Sequence, residues 1–512
     1  MSDPRVRMLD PGADPGPALH ALDSLAIDVC IGSDLSTTIA GAAAALVAMC
    51  ARIFAHVTVT GNAALVVNPW RAESVAEVLD VCASIRPEAS AEATQRIRVA
   101  IGHVEGEADL WLGGGAYTIR CGRQQQSLDA DQVARFGHAL GVHAGACLVV
   151  ADLMKTALAG LGHQFVMLGD WFVWNLLDYR LTEAPAPERV ETNRTRKRRE
   201  PSVLFAGTGS VGTSAVAVLA MSPGVRGVAQ CVDLEAFDEA RNPFRYPALS
   251  GGVDGAKSTW AVRLLSDAGW SATGFVGDVG QWCVTQSDPG FDGLVVSSVD
   301  TASARFAVAD VLARQTCSIG VAGLALHAQV EYLGDGLACP YCDFVSMEPV
   351  LSQADVIANH LGLDINRVIE LQQAGSVVTE TDVAQVVAAG RVAPENACTL
   401  VGRRIDDLIA RVYAEATLPA AGSQEGAVAV AAPHVSWFAG VLGAAEVAKL
   451  ANGLPALDRR VDVDLVGIPQ GFTERRPADM SGRCACGSGH RRRWAERFRN
   501  RTCDGRPAKT AH

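Results

Sequence analysis

The sequence predicts an α/β protein: a parallel sheet with helices on both faces in its larger, C-terminal part, and a smaller α/β domain at the N-terminus. Three observations predict it. Short apolar runs alternate with helix-length runs, a glycine-rich turn joins one such strand to a helix, and a Pro- and charge-rich segment separates the two parts. At 512 residues the chain is long enough for two or three domains.

The elements follow in order. Residues 1–20, rich in Pro, Gly and Asp, read as a flexible start. The runs IDVCIG, TTIAGAAAALVAMCARIF and HVTVTG form one strand–helix–strand unit, and alternation continues through two Ala-rich helical stretches to about residue 181. The segment TEAPAPERVETNRTRKRREP, 182–201, has no apolar periodicity and reads as a linker. From 202 to 486 come the strand SVLFAG, the turn Gly207-Thr208-Gly209-Ser210-Val211-Gly212, the helix TSAVAVLAM and the strand GVAQCVD ending at Asp233. A helix from Lys257 to about Ala268, the strand GLVVSSVD ending at Asp300, the helix ARFAVADVLARQ and the strand SIGVAGLAL extend the alternation. A helical insertion is expected over about 349–415, then a helix HVSWFAGVLGAAEVAKLANG that stops at Gly453, and a basic tail over 487–512 that reads as a solvated, flexible end.

Composition limits the function classes. Apolar residues make up 49% and charged residues 20%, which suits packed domains. The net charge of −12 argues against a general nucleic-acid binder, although the tail carries +6 and leaves about −18 for the rest. The start of the chain has acids and prolines where a secretory signal needs a basic, then apolar, run. The apolar stretch from Ile39 to Ala55 is interrupted by Arg52 and falls short of the ~20 residues of a membrane span. It reads as a buried helix. Fourteen scattered cysteines do not form a secreted disulfide framework, so a cytoplasmic protein with reduced thiols is expected.

The turn has the context that phosphate binding needs. Gly207, Gly209 and Gly212 allow a tight turn and close backbone approach, and the helix N-terminus supplies N–H donors and a positive dipole end. Asp233, 21 residues beyond Gly212 at the end of the next strand, is placed to accept from ribose hydroxyls. An NAD(P)-dependent oxidoreductase would use the same elements. The residues that follow discriminate: Asn242 and Arg245 three apart, Lys257 opening a helix, then Asp300 with Arg305 five residues on.

This series resembles the ThiF/MoeB/ubiquitin-activating-enzyme superfamily, whose motifs run from the Gly-rich loop through an acid, N-x-x-R and a lysine to a strand-end D-x-x-x-x-R. The resemblance covers roughly Pro201 to Cys486 and implies a Rossmann-like adenylating domain, with the N-terminal part a degenerate companion lobe of the kind seen in two-lobed bacterial members. It implies an adenylyltransferase that uses ATP and Mg²⁺ to activate the C-terminal carboxylate of a ubiquitin-like or sulfur-carrier protein, or a peptide. Arg245 and Lys257 would neutralise the triphosphate, Asp300 would hold Mg²⁺, and Asn242 would orient a phosphate or the carboxylate. No residue matches the family's additional phosphate-binding arginine. A homodimer is compatible with this reading, and a non-catalytic scaffold on the same fold is the remaining alternative.

Cysteines carry two further expectations. Cys339 and Cys342 form a C-x-x-C pair, and Cys484 and Cys486 lie near the C-terminus one residue closer together. The family resemblance implies a structural Zn²⁺ held by these four thiolates, with His490 or Cys503 as substitutes for one of the closer pair. Some members form a thioester on an enzyme cysteine, and Cys398 in the polar run APENACTL is the candidate. Cys231, Cys283 and Cys317 sit in or beside apolar strands and are expected in the core.

Overall fold

The computed structural model describes residues 5, 15–162, 165–181, 200–238, 242–250, 253–287, 290–339, 341–342, 353–373, 375–392, 394, 398–409, 432–457, 460–469, 473–474, 477–479, 484, 486 and 488–499. They fall into two units: Pro17–Val345 with Ala431–His512, and Ser346–Val430 with Met1–Gly16. The expected linker at 182–201 lies outside the described residues except at its last two positions.

The larger unit begins α1 (Pro15–Asp23), β1 (Leu25–Ile31), α2 (Thr37–Ile53), β2 (His56–Thr60), α3 (Val75–Val81), β3 (Gln95–Ile101), β4 (Leu110–Gly114), β5 (Thr118–Gly122), α4 (Ala130–Phe136), α5 (Leu140–Leu158) and β6 (Phe172–Asn175). After the linker it continues β7 (Ser202–Ala206), α6 (Ser210–Ala220), β8 (Val228–Asp233), α7 (Asn242–Arg245), α8 (Lys257–Asp267), β9 (Ser271–Val276), α9 (Val279–Thr285), β10 (Leu294–Ser297), α10 (Ala302–Asp310), β11 (Gln315–Ala322) and β12 (Ala325–Tyr332). The smaller unit contributes α11 (Gln353–Leu361), α12 (Ile365–Leu371) and α13 (Glu380–Ala388). The chain then returns as α14 (Pro433–Ala451), β13 (Arg460–Asp464), β14 (Thr473–Glu474) and α15 (Gly489–Arg499).

The strands of the larger unit make two mixed sheets flanked by helices, ordered β2-β1-β3-β4-β5-β6 and β14-β13-β12-β11-β10-β7-β8-β9. The two share a plan. In the first, β2, β1, β3 and β4 run parallel and β5 and β6 antiparallel. In the second, β8, β7, β10 and β11 run parallel in the same relative order and β12 and β13 antiparallel. The second sheet is therefore Rossmann-like with an antiparallel extension. The apolar run expected as one strand, SIGVAGLAL, is instead a hairpin. Gly323, at φ +58°, turns the chain between β11 and β12, a reversal hidden within uninterrupted apolar residues.

The helix α14 organises the core. Pro433 sits in its first turn, where a missing N–H costs nothing, and the chain leaves it at Gly453 with φ +64°. It packs against α6, α5 and β11, and its small residues permit the approach. A Cβ built at Gly440 would lie 2.6 Å from the Ala215 nitrogen, and one at Gly443 would lie 2.5 Å from Ile319 Cδ1. Within this packed layer, Glu446 and Lys449 are both fully buried. The Lys449 ammonium donates to Glu446 at 2.7 Å, the Tyr179 hydroxyl donates to the same oxygen at 2.8 Å, and the Leu457 N–H donates to the other at 2.9 Å. Tyr179, just after β6, thus ties the end of the first sheet to the helix of the second.

Among the described residues one helical stretch, Leu140–Leu161, is long and apolar enough to cross a membrane, and 72% of its apolar window is buried inside the fold. The Ile39–Ala55 stretch forms α2, buried over nearly its whole length. The basic tail departs from expectation. Residues 489–499 form α15, and Arg491 is buried beside the equally buried Glu331 of β12. The smaller unit has its own apolar core, including Leu361, Val368, Leu371, Val386 and Leu408. Arg367 of α12 grips Asp382 of α13 through two parallel hydrogen bonds of 2.8 and 2.9 Å.

His143 on α5 and His434 on α14 are almost wholly inaccessible, and burial pushes each imidazole down to about 3. Folding keeps both neutral, whereas the unfolded chain protonates them below about 6.5. Stability should therefore fall as pH drops from about 6.5 towards 3, by about 1.4 kcal/mol per pH unit for each histidine. Urea unfolding midpoints measured across that range should show the slope, and His434→Leu should flatten it.

Candidate nucleotide site and cysteine cluster

The site forms where the second sheet changes direction. The chain moves from β7 to β8 and β9 on one side and later to β10 and β11 on the other, so a crevice opens beyond the carboxyl ends of β7 and β10. The glycine-rich loop leaves β7 here. Gly207 has φ +87°, which a side chain disfavours, and a Cβ on Gly212 would lie 2.2 Å from the Gly207 oxygen, so both glycines are required by the turn. Gly209 faces open space, since only the Tyr246 hydroxyl lies within 4 Å of a Cβ placed there. It caps the 11-residue α6, whose first-turn N–H groups and dipole favour an anion.

Asp233 ends β8 beside this loop. Its carboxylate accepts from the Thr208 N–H at 2.6 Å, the Thr208 hydroxyl at 3.1 Å and the Glu235 N–H at 2.8 Å. It therefore holds the loop in shape. Ser298, just past β10, donates its hydroxyl to the Gly207 oxygen at 2.9 Å and its N–H to Ala206 at 3.0 Å. Those bonds fix the segment that carries Asp300, which is exposed three residues beyond the strand. A solvent-facing carboxylate at the rim of an anion-binding loop suits Mg²⁺ that arrives with a nucleotide and keeps most of its waters.

The third wall is the turn from Asn242 to Leu249. The Asn242 side chain accepts from the Asp238 N–H at 2.9 Å and so closes the start of α7. Ser210, within the loop, donates to the Arg245 carbonyl at 2.7 Å. The Arg245 side chain is half-buried, and its Nε has no hydrogen-bond partner among the described residues. Lys257 opens α8, buried, with its ammonium 5.5 Å from the Tyr246 ring and paired to the exposed Glu235 carboxylate. Burial alone would lower its pKa, but Tyr246 and Glu235 outweigh it and raise the value above that of an ordinary lysine. Lys257 is thus a cation at this wall of the site.

The structure brings Gly207, Gly209, Gly212, Asp233, Asn242, Arg245, Lys257 and Asp300 to the loops at one end of the second sheet. Arg305 lies behind them, buried on α10 and in the field of Tyr341. Tyr246, Glu235, Ser210 and Ser298 escaped the sequence reading because they act through bonds to the loop and to Lys257, and only the adjacency of Tyr246 to Arg245 hinted at one of them. The equivalent turn of the first sheet carries an acid. Asp34 accepts from the His103 N–H at 2.9 Å and crowds Gly32, so a carboxylate lies close to where an anion would rest.

Cys339, Cys342, Cys484 and Cys486 converge, their sulfurs all within 4.8 Å of one another. Contacts of 3.8 Å (Cys339–Cys342), 3.3 Å (Cys339–Cys484) and 3.7 Å (Cys342–Cys486) approach the edge of about 3.8 Å expected for a tetrahedron with metal–sulfur bonds of ~2.3 Å. The shorter spacing of the second pair is absorbed without another ligand: His490 lies exposed on α15. Cys503 lies outside the described residues. Cys398 opens a single 3-10 turn, and its side chain also lies outside the described residues. Cys231 and Cys317 are fully buried and Cys283 half-buried, and burial pushes the Cys231 thiol up to about 12, which makes these poor nucleophiles.

Comparison with known proteins adds solved structures of one protein of Escherichia coli. The chain is similar to the crystal structure of E. coli MccB (14% identity, 57% of this chain and 66% of that one, TM-score 0.33). It is also similar to MccB with ATP (14%, 57% and 68%, TM-score 0.32) and to MccB with MccA-N7isoASN (15%, 56% and 67%, TM-score 0.32). The chain thus spans about two thirds of the length of those proteins. No family model and no curated protein matches it.

Gly212→Ala should place its methyl against the Gly207 carbonyl and distort the loop. Nucleotide affinity measured by calorimetry should fall at least about tenfold, while far-UV circular dichroism stays unchanged.

Proposed function

We propose that this protein is an ATP-dependent adenylyltransferase of the ThiF/MoeB/ubiquitin-activating-enzyme type. The observation that carries this reading is the unpartnered Arg245 Nε beside the loop, together with buried cationic Lys257 and the solvent-facing Asp300. Two cations and an exposed carboxylate beside the loop match the needs of a Mg²⁺-bound triphosphate better than those of a dinucleotide, whose pyrophosphate rests mainly on the loop backbone.

In the proposed reaction Mg·ATP lies with its phosphates over Gly209 and the start of α6. A carboxylate oxygen of the substrate attacks the α-phosphorus, and the bond from that phosphorus to the bridging oxygen breaks. The electron pair leaves with pyrophosphate, which Arg245 and Lys257 stabilise as its charge develops. Asp300 would hold Mg²⁺, whose charge would offset that of the phosphates, and Asn242 keeps the Arg245 turn closed. No protein nucleophile takes part, because the step consists of positioning and charge stabilisation. The acyl donor is the C-terminal carboxylate of a small ubiquitin-like or sulfur-carrier protein, or of a peptide. The cysteine cluster holds a structural Zn²⁺ that ties the segment before α15 to the end of β12, because four thiolates leave no open coordination position for catalysis. A cytoplasmic location fits thiolates kept reduced for the metal.

ATP–pyrophosphate exchange should appear when small proteins and peptides with free C-termini are supplied. Arg245→Ala, Lys257→Ala and Asp300→Ala should each cut it by about 10²-fold or more. NAD binding without any exchange would sink the proposal. Elemental analysis should find one zinc per chain, and a strong chelator should lower the melting temperature, as should Cys342→Ser. Retention of full stability in a metal-free protein would remove the structural zinc.

A further inference from the structure

The turn that aims Arg245 is held from the first sheet's side of the molecule. Arg52 lies in the last turn of α2, 191 residues earlier in the chain than Pro243, and is completely buried. Its guanidinium forms no salt bridge among the described residues. It spends its donors on carbonyl oxygens: Nε to Pro243 at 2.9 Å, Nη2 to Tyr246 at 3.2 Å and to Leu249, and Nη1 to Ala48 of its own helix at 2.5 Å. Nη1 also contacts the Cys82 sulfur at 3.6 Å. Nearby, the Trp70 indole donates to the Pro247 carbonyl at 2.9 Å.

The turn is over-determined by these bonds. The carbonyls of residues 243, 246, 247 and 249 all accept from Arg52 or Trp70, and that of Arg245 accepts from Ser210 in the glycine-rich loop. The side chain of Arg245 rises from this held backbone, half-buried, and its Nε has no hydrogen-bond partner among the described residues. Burying a guanidinium against neutral carbonyls is costly, since no counter-charge offsets its desolvation. Burial accordingly lowers its pKa. A lysine in its place has one point of donation and no planar fork, so it cannot span three carbonyls of one turn.

We propose that Arg52 is a positioning residue for the nucleotide site: from the N-terminal lobe it clamps the 243–249 turn and thereby fixes the aim of Arg245. The companion lobe then contributes to the chemistry without touching the nucleotide. This rests on the adenylation reading insofar as Arg245 meets a phosphate, but the clamp itself does not.

The test uses the full chain with Arg52→Lys, Arg245→Ala and the double variant, with Mg·ATP as the probe. Affinity is read by calorimetry, and hydrogen exchange is read over residues 242–249. Arg52→Lys should speed exchange in that turn by about tenfold or more while leaving the amides of α13 in the helical insertion unchanged. It should weaken Mg·ATP binding by about tenfold alone, yet add nothing in the Arg245→Ala background, because it acts through Arg245. Equal weakening in both backgrounds would overturn the positioning role, as would unchanged exchange in the turn. If the parent protein binds no ATP, the adenylation reading fails by itself, and the exchange of the turn still decides whether Arg52 clamps it. Trp70→Phe, which removes one donor and keeps the ring against Trp437, should give a smaller increase in exchange over the same residues. An increase spread over the whole unit would mean that Arg52 serves stability alone.

Discussion

The close approach of α14 to α6 sets the position of almost everything else. Helices that approach with glycine and alanine at the contact bring their backbones near enough for the flanking layers to lock. Here Gly440 faces the first turns of α6, the helix whose N-terminus forms the phosphate cradle. The start of α6 cannot drift without disturbing this close contact between α14 and α6. The same helix carries Glu446 and Lys449 into that layer, where Tyr179 and the Leu457 N–H complete their hydrogen bonds. A buried ion pair of this kind adds little net stability. What it provides is register, because only one placement of β6 against α14 satisfies all its polar atoms.

The nucleotide site combines fixed and free groups. The loop backbone is pinned on two sides, by Asp233 through Thr208 and by Ser298 through Gly207. The Asn242–Leu249 turn is pinned by Ser210, Arg52 and Trp70. Beside this frame stand three charged side chains: Arg245, whose buried Nε has no hydrogen-bond partner among the described residues, buried Lys257 paired to Glu235, and exposed Asp300. The duplicated sheet plan gives the first lobe a comparable turn, but Asp34 lies within it.

Much of this was legible in the chain itself. Strand–helix alternation, the glycine turn and the acid after the next strand are local patterns that appear close to where periodicity and spacing put them, although the strand expected to end at Asp300 stops at Ser297. The four cysteines were also legible as a set, despite the missing residue between Cys484 and Cys486. Three features were not. The β11–β12 hairpin hides inside an apolar run because Gly323 supplies the turn without a polar signal. The tail looked solvated because Arg491 is basic, yet it packs beside a glutamate 160 positions earlier. Arg52 looked like an interruption in an apolar helix, and nothing local shows that its partners are carbonyls on the far side of a linker.

By itself, then, the sequence determined the kind of elements, the order of the site residues and the chemistry their side chains offer. These follow from backbone propensities and from residue types, which act over a few positions. Tertiary structure alone decided which residues share a wall of the site, which carboxylate braces a loop, and that the N-terminal lobe reaches into the Arg245 turn. Those outcomes depend on contacts between residues far apart in the chain, made only when buried polar groups find their partners during packing. The Arg52 clamp is the clearest case: beyond the Ala48 carbonyl of its own helix, its partners lie on a turn 191 residues or more away and are met only when the two lobes pack together.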